Sequence, residues 1–115
     1  MKKRILIVED DPRSLFALQA VLEQHGFAVV GTANAQDAAT MDTTEMGAAL
    51  IDLRLPHMPG GELARMLRKK NPALRLIFMT AYTPQNIDGD LEGAVMMVKP
   101  LELGKLLKEL EVEKG

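Results

Sequence analysis

The sequence predicts an α/β fold, a doubly wound five-stranded parallel sheet with strand order 2-1-3-4-5. Three observations carry that expectation. Short apolar runs alternate along the chain with segments of helical spacing. The runs are apolar almost throughout, as strands are when both faces of a sheet are covered. The connections between them are short, and right-handed crossovers then leave few topologies.

"RILIV" at 4–8 is a compact, β-branched run and reads as the first strand. Asp11-Pro12 then starts a helix, with Asp at the N-cap and Pro at the first helical position. Leu15, Leu18 and Leu22 recur at helical spacing until Gly26 ends the helix. "FAVVGTA" at 27–33 is the second strand. Asn34 caps a short helix from Ala35, whose pattern fades in "MDTTEMG". "AALID" at 48–52 is the third strand.

"GGELARMLRKKNP" reads as a helix with Leu63, Met66 and Leu67 on one face. Its basic last turn (Arg68, Lys69, Lys70) suits the helix dipole, and Pro72 prevents continuation. "LRLIFMT" at 74–80 and "AVMMV" at 94–98 are the fourth and fifth strands. Leu103, Leu106, Leu107 and Leu110 mark a final helix after Pro100.

At 115 residues the chain has the length of one domain, 1–115, and it can bury a real core. Aromatics make up 3%, so aliphatic residues and eight Met must fill that core. The net charge of −2 gives no bulk field for nucleic acid. The absence of Cys excludes disulfides, thiolate metal sites and thiol nucleophiles. The apolar run after the basic start is only Ile5 to Val8, too short for a signal peptide or a membrane span. A cytoplasmic protein is expected.

The stretch "AALIDLRLPHMPGG" raises the functional question, because its apolar run stops on Asp52. In a doubly wound sheet, ligands sit at the carboxyl ends of the strands, by the switch point between strands 1 and 3. Strand 1 ends in Glu9, Asp10 and Asp11, strand 3 in Asp52, strand 4 in Thr80 and strand 5 in Lys99. Neighbouring strands lie about 4.8 Å apart, so these groups converge on one small cleft. Carboxylates packed so closely need a cation. An oxygen-only donor set points to a hard ion, Mg²⁺. Such an ion can hold one carboxylate ready as a nucleophile and screen an arriving phosphoryl group. The cleft then looks built to move phosphate onto Asp52, with Thr80 and Lys99 on the phosphoryl oxygens. Taken singly, each residue has a plainer reading: a strand terminator, a loop carboxylate, a strand-end hydroxyl, a solvated lysine.

"ILIVEDDP", "LIDLRLPHMPGG", "FMTAY" and "VKP" together resemble the receiver domain of bacterial two-component response regulators, a flavodoxin/CheY-like fold. The resemblance covers nearly the whole chain, in order. It implies that Asp52 is the phosphoacceptor. It also implies that Asp10 and Asp52 bind Mg²⁺ directly, that Glu9 acts through water, and that the backbone carbonyl of Arg54 is the third protein ligand. Thr80 matches the switch hydroxyl. Lys99 matches the lysine of the site, with a cis Lys99-Pro100 bond. The implied partners are a sensor histidine kinase or phosphotransfer protein, and a downstream protein or an output domain missing from this chain. No direct nucleic acid or membrane binding is implied, and the state is a monomer or a phosphorylation-dependent dimer. The domain catalyses only its own phosphorylation and dephosphorylation.

Two features depart from the family. "AYTPQNIDGDLEGAVMMV" is short and broken by Pro84, Gly89 and Gly93, where a full helix is usual between strands 4 and 5. Met96 stands where an aromatic is usual. Both fall on the face many receivers use for docking. Arg54 and Tyr82 match the positions that flank the approach of water to the phosphorylated aspartate. Two other function classes compete. A haloacid-dehalogenase-type phosphatase needs an acid/base Asp two residues after the nucleophile, where this chain has Arg54. A receiver-like binding module that signals without phosphorylation is the remaining alternative.

Overall fold

The computed structural model describes residues 4–81, 91 and 93–111. The elements run β1 (Arg4–Val8), α1 (Pro12–Gln24), β2 (Ala28–Thr32), α2 (Ala35–Ala39), β3 (Met46–Asp52), α3 (Gly60–Lys70), β4 (Arg75–Thr80), β5 (Val95–Val98) and α4 (Leu103–Glu111). The strands form one sheet in the order β2-β1-β3-β4-β5, every neighbouring pair parallel. Topology and element order match the sequence expectation. Most element ends fall within about a residue of it. The exception is β3, which begins two residues earlier, at Met46.

Local chemistry explains the starts. The Asp11 side chain accepts the Arg13 amide at the head of α1, with Pro12 beside it. Asn34 accepts the amides of Gln36 and Asp37 at the head of α2. Gly26 follows α1 at φ 92°, a left-handed conformation that glycine takes without penalty.

Strand alternation splits the core in two. Leu6, Val8, Ala49, Ile51, Leu76 and Phe78 face α2 and α3, where they meet Ala38, Leu63, Ala64 and Leu67. Ile5, Ile7, Ala48, Leu50, Ile77 and Met79 face α1 and α4, where they meet Leu22, Leu106 and Leu110. The inner face of α3 needs one correction. Ala64 is buried there beside Leu63 and Leu67, whereas Met66 is 38% exposed. Hydrophobicity suggested Met66, but the helical angle favours the smaller Ala64. Met96 is half-buried against the α2/α3 side of the core.

Polar bolts close the edges of this packing. The Lys70 ammonium donates to the carbonyls of Ala39 and, at 3.0 Å, Met41, so α3 holds the end of α2. Asn71 donates to Thr43 O and Met46 O. Arg75 and Glu109 form an ion pair between β4 and α4. The expected loss of a full helix between β4 and β5 rests on residues 82–90 and 92, with Tyr82, Pro84 and Gly89 among them. These lie outside the described residues.

Candidate functional site

Sheet register assembles the site. Val8 pairs with Ile51, so Glu9 and Asp52 leave the ends of adjacent strands side by side. Asp52 is in register with Met79, and Thr80 in turn with Val98, the residue before Lys99. The Lys99 amide continues this pairing by donating to Thr80 O at 2.7 Å. Four expected residues thus sit at the carboxyl ends of β1, β3, β4 and β5.

Glu9, Asp52 and Thr80 are buried, at 1%, 7% and 7% exposure, whereas Asp10 and Arg54 are exposed. The Lys99 ammonium donates to Glu9 Oε1 at 2.5 Å and to Asp52 Oδ2 at 2.9 Å. The other Glu9 oxygen accepts the Asp11 amide, and Asp52 Oδ1 accepts the Arg54 amide at 2.9 Å. One oxygen of each buried carboxylate is therefore held by backbone and the other by lysine. The Lys99-Pro100 bond is cis, as expected.

Carboxylate oxygens of Glu9, Asp10 and Asp52 lie within 4.8 Å of one another. Against these three carboxylates stands one ammonium, so the four groups carry a formal charge of −2. Burial pushes the Glu9 carboxyl above the ordinary carboxylate range. The bonds from Lys99 and Asp11 oppose that rise, and the Asp52 charge adds to it. Burial alone would lower the Lys99 ammonium. Its bonds to Glu9 and Asp52, with their charges, outweigh burial and raise it. The excess negative charge and the hard oxygen donors fit a divalent cation such as Mg²⁺.

One residue at the site, Gly60, was not singled out from the sequence. Gly60 packs beneath the end of β3, where a Cβ would stand 2.7 Å from the Asp52 carbonyl oxygen. The Gly60-Gly61 pair at the start of α3 was the available signal. His57, in the loop between, is exposed and holds φ at 72°, which a histidine in isolation does not announce. Beside the site, between α1 and the segment after β5, a groove of about 470 Å³ opens. Its lining includes Glu9, Ala17, Leu18, Val21, Lys99 and Leu101.

Comparison with known proteins agrees with the architecture. The family model described as "Response regulator receiver domain" matches residues 5–111. The response regulator receiver protein CpdR of Brucella abortus is 31% identical over 113 residues, covering 95% of this chain and 94% of that one. A CheY-like receiver domain protein from Methanospirillum hungatei superposes with a TM-score of 0.81 at 29% identity, covering 99% of this chain and 98% of that one. The response regulator TrrA of Thermotoga maritima, solved in complex with Mg²⁺-BeF, superposes at 0.80 with 27% identity, covering 94% of this chain and 98% of that one. The superposed structures share this fold, and by family model and relatives the chain belongs to the receiver-domain family of two-component response regulators.

Proposed function

We propose that the chain, acting as one receiver unit over 1–115, takes a phosphoryl group onto Asp52 from a histidine kinase or phosphotransfer protein and signals through that modification. An Asp52 carboxylate oxygen attacks phosphorus and a P–O bond forms. The bond from phosphorus to the donor imidazole nitrogen breaks, and its electron pair stays on the imidazole. Asp10, Asp52 and the Arg54 carbonyl would hold Mg²⁺, with Glu9 acting through water; the ion supplies charge neutralisation for the incoming phosphoryl oxygens. Lys99 already bonds the proposed acceptor and is within reach of a phosphoryl oxygen placed there. Thr80, at the end of β4, is proposed to bond another.

The observation that carries this reading is Lys99 bridging Glu9 and Asp52 beside a third carboxylate. A structural ion pair needs one partner, and this cluster holds more negative charge than its lysine can offset. TrrA, solved with Mg²⁺-BeF, supports the same ion here by family likeness. A cytoplasmic setting and a downstream protein partner belong to the same proposal. Among the described residues no helix is long and apolar enough to cross a membrane.

The test is labelling by a small-molecule phosphodonor with and without Mg²⁺. Label should appear only with the ion and vanish in Asp52→Asn, which keeps shape and removes the nucleophile. Retained label in that variant would reject Asp52 as acceptor. No label on the wild type would favour a module that signals without phosphorylation.

A further inference from the structure

Inside its Asp11 N-cap, the outer face of α1 carries opposite charges at its two ends. Its first turn carries Arg13 and no acid, and its last turn carries Glu23 and no base. The helix dipole favours the reverse at both ends. Arg13 has no side-chain partner among the described residues, and Glu23 takes a single 3.5 Å bond from Gln19. Between these charges lies Phe16, 75% exposed, with Ala17 exposed and Ala20 half-buried on the same face. Leu22, on the opposite face of the helix, is buried in the core.

We propose that this face docks a second copy of the chain, with the two α1 helices antiparallel about a two-fold axis at the level of residue 18. That register is self-complementary. Arg13 of one copy meets Glu23 of the other, and Phe16 meets Ala20, each pair occurring twice. Charges misplaced for one dipole are correctly placed for a neighbour running the other way. The alanines let the helices approach closely. One helix pair buries less than the ~800 Å² per partner of a standard interface, so the dimer is weak and concentration-dependent.

The test is sedimentation of the full chain between about 10 µM and 1 mM, a range that brackets a weak interface. A monomer–dimer equilibrium is expected. Phe16→Ala should weaken it by about tenfold or more, as loss of a central aromatic does. Arg13→Glu and Glu23→Arg should each weaken it by about tenfold, and the double swap should restore it to within about threefold. Arg13 and Glu23 lie about 15 Å apart along one helix, so restoration can come only from pairing between copies. Each swap also aligns charge with the dipole, so circular dichroism should show helix kept or gained while association falls. A chain monomeric across the range overturns the proposal and leaves Phe16 to a different protein. A dimer indifferent to the swaps, or a double swap that stays dissociated, overturns it as well.

Discussion

A methyl group on Gly60 would stand 2.7 Å from the backbone oxygen of Asp52 and 3.0 Å from Leu53 Cα. The neighbours are backbone atoms of the strand end that carries the proposed acceptor, so they cannot swing aside as a side chain would. Gly60→Ala should therefore displace Asp52 and cost about 1–3 kcal/mol, the usual range for overpacking a tight contact. Gly61→Ala is the control, because nothing lies within 4 Å of its Cβ. It should be neutral, or stabilise by up to about 1 kcal/mol as helix propensity allows. Urea melts measure the stability, and labelling rates show whether the Gly60 effect reaches the acceptor. Equal behaviour of the two variants would contradict the close approach.

Millimolar Mg²⁺ should raise the melting temperature, because it relieves repulsion among Glu9, Asp10 and Asp52. At tenfold excess over the dissociation constant the gain is about 1.4 kcal/mol, or roughly 5 °C for a chain this size. Asp10→Ala should remove most of that response. Without the ion, the same change deletes a like charge and should leave the melting temperature equal or higher. A wild-type melt insensitive to Mg²⁺ would mean the carboxylates do not act together.

The charged cluster also sets a pH dependence. Glu9 holds its proton more tightly in the fold than in the unfolded chain, chiefly through burial. Its contribution to stability therefore falls as pH rises from the ordinary value of 4.5 through its raised folded value. Lys99 acts at the other extreme. Its raised value gives stability that is complete below 10.5 and is lost as pH climbs through the folded value. The two neighbours of Glu9 push it in opposite directions. Lys99→Met should raise the Glu9 midpoint further, and Asp52→Asn should lower it. Carboxyl carbon resonances followed by NMR titration report the midpoints directly. Shifts of the same sign in both variants would contradict the arrangement.

Arg54, exposed two residues past Asp52, bears on how long a phosphoryl group would persist. Its guanidinium can bond phosphoryl oxygens and crowd the approach of water. Arg54→Asn should quicken decay of label in excess Mg²⁺ by about fivefold, the equivalent of one bond worth about 1 kcal/mol. Unchanged decay after donor removal would show that the side chain points elsewhere.

Much of this was legible in the sequence because the signals were local. Asp11-Pro12 and Asn34 are caps whose side chains do what their types suggest. The apolar runs are strands because nothing else buries them on both sides. The contact between Lys99 and Glu9 spans 90 residues, yet it follows once strand order places β1, β3, β4 and β5 together. What escaped depended on packing rather than type. Met46 and Gly47 begin β3 because Met46 pairs with Arg4 across an irregular register and Asn71 of the α3 end bonds Met46 O. Met66 outscores Ala64 in hydrophobicity, but the space beneath α3 suits the smaller side chain. The left-handed His57 is imposed by the turn between β3 and α3 rather than by the residue.

Five residues make α2 little more than one turn, and an isolated turn does not persist in water. Its closing carbonyls are held instead by an ammonium from α3. The helix is therefore a tenant of α3. Its amides should exchange with solvent on the timescale at which Lys70 lets go, well before the strands beneath open. Substitutions across its outward face should be absorbed with little effect, while a change at Lys70, some thirty residues away in sequence, should loosen its last turn.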